Sequence, residues 1–519
     1  MRAVGRLGLF GAAVAIAVSV VAFGHPSTGL AVVDPSSLAV RTATTRLVAA
    51  TERKLAYWQY SFHTSGDSWV TWGPGGWTSG YLPGELWTSY ALTGDTWFRD
   101  HAASRQTPLG KSVGSVDPVD IGMRYFYSYV QGYQLTGNKT YRTMALEAAT
   151  SEARLYNPAV GALRSTQATD SCEVIVDDLV NVQLLEWGAD NGGPASWREM
   201  AHRHALTTAR DFVRDDGSVA HLVSYDATTG AIESTETQQA LFSGTAWARG
   251  QAWAICGFTS AYKSSRDTTL LATARRVAER YLADLPADSV PYWDFRDADI
   301  PDAPKDSSAA AIAASGLLDL ATVDPNPTNR VRYENAARDM LASLTSPSYF
   351  STGTVPAILL HGTMNYFNPA TVDCGQSFGD YFFLEALLRL RGMPTTQSPM
   401  HVRRAFANSG TARYVLDGRA STACTSKGKR WIDVDLGARR TVRAVGVAVQ
   451  NGSTRSAPLK FYTSYDRRRW HLVTRAVSSG ETSSLETYVL PPTRARFVRL
   501  SLSGTSRSST NGISELRVY

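Results

Sequence analysis

Asp177 and Asp178 sit inside the otherwise apolar run VIVDDLVNVQLLEW (Val174–Trp187), in which Val174, Ile175, Leu179, Val182, Leu184 and Leu185 recur at helical spacing. Asp177 falls among the apolar positions, and a carboxylate placed there requires a reason. Burial beside apolar groups disfavours the anion, so such a carboxyl stays protonated to higher pH and can serve as a general acid. The ordinary alternative is a helix cap, the commonest role of an Asp near a helix start, and it suits Asp178. A second segment, TAWARGQAWAICGFTSAY (Thr245–Tyr262), holds Arg249 and Trp253. An arginine grips anions through charge-assisted bonds, and Trp77, Trp247 or Trp253 offers a flat apolar face for stacking. Packing alone is the competing role for each of these.

The elements that carry these residues repeat. Leu38–Tyr60 reads as a helix, followed by an aromatic, glycine-rich loop and a helix ending in YALTGD (Tyr90–Asp95). The ending returns as YQLTGN (Tyr133–Asn138), 43 residues later from Gly94 to Gly137. In each copy glycine stands where a helix stops in a left-handed cap and a second helix restarts, the pattern of an αα-hairpin. Weaker versions near Asp190, Asp267, Asp324 and Gly392 bring the number of hairpins to six. Six hairpins predict an all-α (α/α)6 barrel over residues 38–395, with aromatic loops gathered at one mouth; an open helical solenoid is the alternative. Asp306 in KDSSAAA reads as a cap or hairpin brace of one of these helices.

Beyond Met400 the texture changes. WIDVDLG, TVRAVGVAVQ, LKFYTSYD, WHLVTRAV and RFVRLSLSG alternate with period two between Gly, Ser and Asn turns, which predicts a β-sandwich over residues 400–519. The joint falls at Arg391–Met400. The chain has 519 residues, 43% of them apolar, enough for two cores.

Leu7–Phe23 is an almost unbroken apolar run behind Met1–Arg6, with small residues near Ala22–Gly24 and Gly29–Ala31. It reads as a secretory signal covering residues 1–31, and hence as a secreted, extracellular protein; an uncleaved anchor is the alternative. After signal cleavage no membrane insertion is expected. The four cysteines, Cys172, Cys256, Cys374 and Cys424, show no metal-ligand spacing and no disulfide framework, and Cys424 is expected to be unpaired. Charge is divided unequally. From Ser398 onward there are 21 basic and 7 acidic side chains, a balance of +14 against −8 for the rest. The turn Arg467-Arg468-Arg469 before Trp470 reads equally as a solvated turn or as part of a surface for an acidic polysaccharide. Nucleic acid is not an expected partner of an exported chain.

Eight blocks in order make the first four hundred residues resemble the unsaturated glucuronyl hydrolases, glycoside hydrolase family 88, and more distantly the unsaturated rhamnogalacturonyl hydrolases. They are WTSGYLPGELWTSYALTGD, DIGMRYFYSYVQGYQLTGN, VIVDDLVNVQLLEW, HLVSYDATTG, SGTAWARGQAWAICGF, VPYWDF, KDSSAAAIAASGLLDL and GDYFFLEALLRL. The resemblance implies that Asp177 is the principal catalytic residue and Asp120, in DIGM, the second acid. It places His221, Gln239, Arg249 and Trp253 around the sugar, and calls for no metal and no cofactor. The sequence departs from the family at Val119, where His is common, and at Gln238-Gln239-Ala240.

The tail resembles discoidin-like, coagulation-factor C-type modules, a group that includes family 32 carbohydrate-binding modules, through VLDGRASTACTS, WIDVDLG, SYDRRRW, ARFVRLSLSG and GISELRVY. Arg419 stands where an acid usually follows the Asp-Gly pair, which tells against calcium near Asp417.

The implied substrate is a lyase-generated oligosaccharide whose non-reducing uronic acid carries a C4=C5 double bond. The implied reaction is hydration of that vinyl ether, with Asp177 donating the proton and activating water and Asp120 tuning it. A rhamnogalacturonyl specificity is the nearest rival. A non-catalytic secreted glycan-binding protein and an ordinary inverting glycosidase of saturated chains are rivals of other kinds.

Overall fold

The computed structural model describes residues 38–519 except 118, 167, 169–170, 391–399, 420, 479, 481–482 and 484. The expected signal, and all of the expected joint except Met400, lie outside the described residues.

Helices alternate between an inner and an outer layer. The first, α1 (Leu38–Lys54), packs beside α2 (Tyr81–Thr93). Next come α3 (Thr96–Gln106), α4 (Ile121–Tyr125), α5 (Gln131–Thr136) and α6 (Lys139–Ala153). A π-helical turn, Phe126–Val130, joins α4 to α5. The series continues with α7 (Asp178–Asn181), α8 (Gln183–Asp190), α9 (Ser196–Asp211), α10 (Ala248–Ser265), α11 (Thr268–Asp284), α12 (Ser307–Val323), α13 (Pro327–Leu344) and α14 (Ser377–Leu390). The inner elements touch in sequence, α10 on α12, α12 on α14 and α14 back on α2, so the helical ring closes. An open solenoid has no such contact between last and first. Buried apolar residues such as Leu82, Leu86, Trp253, Phe258, Leu317, Phe382 and Leu387 fill it.

Local chemistry explains the hairpins. Gly94 and Gly137 cap α2 and α5 with φ of 73° and 71°, the left-handed region that favours glycine. Asp95 and Asn138 then accept the backbone N–H of Trp97 and Thr140 and start the next helix. Asp306 caps α12 as expected, accepting from Ser308 N and Ala309 N.

Two expectations need correction. The first helix stops at Lys54 rather than reaching Tyr60, and Tyr60–Ser65 with Ser68–Trp72 forms a hairpin inside the aromatic loop. Val174 and Ile175 are not helical. They end the strand Ser171–Ile175, which pairs with Leu222–Asp226, itself paired with Ile232–Glu236. A β-branched, half-buried run of this length satisfies strand and helix spacing alike, and pairing decides the matter. The barrel is therefore helical in its walls and carries small sheets at its mouth.

Residues 404–518 form one antiparallel system. The long strand Arg430–Val449 pairs with Glu486–Leu502, Thr510–Val518 and Arg404–Ala407, and Pro458–Ser464 lies between Glu486–Leu502 and His471–Val477. Ile432, Val434, Val445, Phe461, Val498 and Leu500 face a core of their own. This domain rests on the barrel: buried Tyr519 and Ala444 join the barrel's core, and Arg517 lies 5.2 Å from the Tyr90 ring of α2. All four cysteines are free thiols.

Candidate active site

Asp177 stands at the junction where the strand Ser171–Ile175 gives way to α7. It makes no side-chain cap hydrogen bond and is 9% exposed. Its Oδ2 is buried and has no hydrogen-bond partner. Burial pushes this carboxyl up to about 7; Asp120 adds to the rise, while Arg249 and, more weakly, the Trp253 indole oppose it. The group is thus poised to be an acid near neutral pH.

Asp120 precedes α4 and does not cap it. Its carboxyl is also raised by burial, against a hydrogen bond from Asn181 and the charge of Arg124. Asn181 binds the two turns together. Its Nδ2 lies 3.4 Å from Asp120 Oδ1 and 3.1 Å from Asp178 Oδ1, and its Oδ1 accepts the Met123 N–H at 2.8 Å. Asp178 is therefore not the cap that its position suggests. It accepts from Asn181, the Ser165 hydroxyl and Ile175 N, and fixes the strand-to-helix turn from behind.

His221 is 3% exposed and places Nε2 4.0 Å from Asp177 Oδ2. The Gln238 N–H donates to its Nδ1 at 3.0 Å, so Nδ1 is an acceptor and the proton of the neutral ring resides on Nε2, toward Asp177. Burial, with the charge of Arg249, holds the ring down at about 3, so it stays neutral at working pH.

Arg249 is in place but occupied. Its Nη1 donates to Asp306 at 2.8 Å and to the Thr363 carbonyl at 2.6 Å; its Nη2 donates to Gln239 Oε1 at 2.5 Å and to the Met364 carbonyl. The guanidinium also lies 4.5 Å from the Trp247 ring centroid. Arg249 lines the cavity with its guanidinium engaged by protein acceptors: it braces the loop that carries Met364, and Gln239 is one of its props. Trp253 and Trp247, 1% and 2% exposed, are core, which leaves Trp77 as the indole that meets the cavity.

That cavity, about 220 Å³, is lined by Trp77, Asp120, Met123, Ile175, Asp177, Gln238, Gln239, Arg249, Met364 and Asn365. Four of the six sequence-derived residues line it, His221 touches it through Asp177, and Trp253 lies beneath. Met364 and Asn365 were missed, since nothing in HGTMNYF marks a site. Among the described residues no group of three or more His, Cys, Asp or Glu can hold a metal ion.

A polar cavity at a loop-rich barrel mouth, with a carboxyl poised near pH 7 and backed by a second carboxyl, suits a glycoside hydrolase of the helical-toroid class. Comparison with known proteins narrows the class. Over 325 residues the chain is 35% identical to the unsaturated glucuronyl hydrolase of Formosa agariphila, a match covering 61% of this chain and 80% of the relative. It is 32% identical to the unsaturated chondroitin disaccharide hydrolase of Streptococcus pyogenes serotype M1, over 60% and 80% of the two chains. The crystal structure of an unsaturated glucuronyl hydrolase specific for heparin superposes with a TM-score of 0.66 at 31% identity, covering 68% of this chain and 96% of that one. Residues 395–516 match the F5/8 type C domain. The chain belongs to the unsaturated glucuronyl hydrolases and carries a discoidin-like domain at its C-terminal end.

Proposed function

We propose that this glycoside hydrolase removes a 4,5-unsaturated glucuronic acid from the non-reducing end of lyase-generated oligosaccharides by hydrating its vinyl ether. The observation that carries the reading is Asp177: a buried carboxyl poised near pH 7 with an unpartnered Oδ2, backed by Asp120, at the wall of a sugar-sized cavity. The Asp177 acid protonates C4, and positive charge develops at C5 and the ring oxygen. The Asp177 carboxylate then takes a proton from water as its oxygen bonds to C5. The hemiketal so formed opens, C1 becomes a hemiacetal, and that hemiacetal releases the next sugar. Asp120 keeps the proton on Asp177 before the step by like-charge repulsion, and His221 Nε2–H stabilises the carboxylate after it. Trp77 offers a stacking face. Proton and water suffice, so no cofactor takes part.

The basic C-terminal domain holds the enzyme near acidic polysaccharide, where its substrates arise, and the apolar run Leu7–Phe23 exports it. The test is a panel of unsaturated disaccharides from chondroitin, heparin, xanthan and rhamnogalacturonan lyase digests, followed by loss of the double bond's ultraviolet absorbance. Loss on a glucuronyl substrate that disappears with Asp177→Asn supports the reading. Turnover confined to the rhamnogalacturonan digest shifts the specificity, and silence on every digest removes the activity.

A further inference from the structure

The outer face of the C-terminal sheet carries an aromatic and arginine array unrelated to the barrel's cavity. Pairing aligns Phe406 with Asp433 and Asp433 with Arg499 across three adjacent strands, and Trp431, two residues before Asp433, shares their face. Arg467, from the turn after Ser464, lies 3.5 Å from the Phe406 ring centroid and 5.9 Å from that of Trp431. Arg499 lies 4.4 Å from Trp431 and 4.0 Å from Trp470. Guanidiniums and rings thus alternate along a row.

Asp433 anchors the row. It is fully buried and accepts from Arg467 Nε at 3.0 Å and from Arg499 Nε and Nη2 at 2.6 and 3.0 Å. One carboxylate balances one of the two arginines, and Arg467 hydrogen-bonds to it through Nε. Arg468 and Arg469 continue the same turn, exposed, with no acidic side chain within ion-pair distance among the described residues. Asp466, the nearest acid in sequence, is bonded to the backbone N–H of both. A guanidinium clamped on an aromatic face has little rotamer freedom left to lose, and its edge suits carboxylate or sulfate oxygens, while the ring faces suit the C–H faces of sugars.

We propose that this sheet face is a binding site for an anionic polysaccharide, a chain whose rings carry carboxylate or sulfate groups. The proposal rests on the reading that the C-terminal domain holds acidic glycan, and it names the surface that does so. The test measures dissociation constants of the full-length protein at 0.1 M salt for hyaluronan and chondroitin sulfate oligosaccharides, with dextran and single-stranded DNA alongside. Arg468→Glu with Arg469→Glu, both exposed and outside the Asp433 pair, is expected to weaken glycan binding about tenfold or more while kcat on a disaccharide stays unchanged. Trp470→Ala is expected to weaken it too, with its fold verified by circular dichroism. Glycan binding untouched by both variants overturns the site while leaving the domain's role standing. No binding of either acidic glycan by the wild type overturns site and role together, and tighter binding of DNA than of both glycans assigns the face to another partner and overturns the proposal.

Discussion

Gly122 and Asn181 are pressed together so closely that a Cβ on residue 122 would stand 2.2 Å from the Asn181 carbonyl oxygen. Only glycine permits this approach. It joins the turn that carries Asp120 to the turn that carries Asp177, and Asn181 adds its side-chain bonds to Asp120, Asp178 and Met123 across the same contact.

Gly122→Ala is therefore expected to spread the two carboxyls apart. A displacement of about 1 Å at a reacting group costs on the order of 10²-fold in rate, so kcat should fall by about that factor with helix content preserved. Steady-state kinetics beside circular dichroism checks this; near-wild-type kcat would show that the spacing of the two turns is unimportant.

The pH dependence follows from Asp177. In the proposed mechanism its proton is needed for the first step, so kcat should hold below pH 7 and fall above it. The same shift acts on stability. The folded carboxyl titrates at about 7 against an ordinary 3.8, so its contribution is fully present at acid pH and is lost as pH rises through about 7. Asp177→Asn cannot ionise. It should abolish turnover yet melt at a higher temperature than wild type at pH 8, with the difference shrinking toward pH 4. Melting curves at both pH values test the sign.

His221 stays neutral because its ring titrates at about 3, far below the working range. His221→Asn should lower kcat by about 10²-fold, since the Nε2–H that supports the Asp177 anion is lost, and should move the Asp177 limb upward if it moves it at all, with no limb of its own appearing or vanishing between pH 5 and 8. A limb near pH 6 that vanishes in the variant would instead mark His221 as a titrating catalyst.

Arg249→Lys removes a fork that reaches Asp306, Gln239 and two carbonyls at once. One ammonium cannot replace it, and Asp306 is fully buried. The expected cost is about 3 kcal/mol of stability together with a lower kcat/KM, read by denaturant unfolding and kinetics. Unchanged stability with a raised KM alone would restore Arg249 as a direct substrate ligand.

The repeating hairpins were legible because Gly94 and Gly137 are dictated by backbone conformation, and Asp306 because a cap is a local arrangement. The buried setting of the Asp177 carboxyl was legible because a carboxyl among apolar residues contradicts its surroundings. Val174 and Ile175 were misread because so short an apolar run fits both periods, and the deciding partner, Leu222–Asp226, lies far along the chain. Arg249 was legible as a cavity residue but its bracing of the Met364 loop was not, since two of its acceptors are backbone carbonyls that leave no mark on side-chain identity. Trp253 carries the same lesson for burial: its 1% exposure depends on the closed ring and on Phe382, 5.1 Å away.

The most direct test of the vinyl-ether chemistry is turnover of an unsaturated glucuronyl disaccharide in deuterium oxide, stopped within the first turnovers and read by mass spectrometry and NMR. Protonation at C4 by the exchangeable Asp177 carboxyl predicts one deuterium at C4 of the released acid, loss of the double bond's absorbance, and no cleavage of the saturated disaccharide. Cleavage with no deuterium at C4, and with the saturated sugar hydrolysed as well, would contradict it and return the enzyme to ordinary acetal hydrolysis.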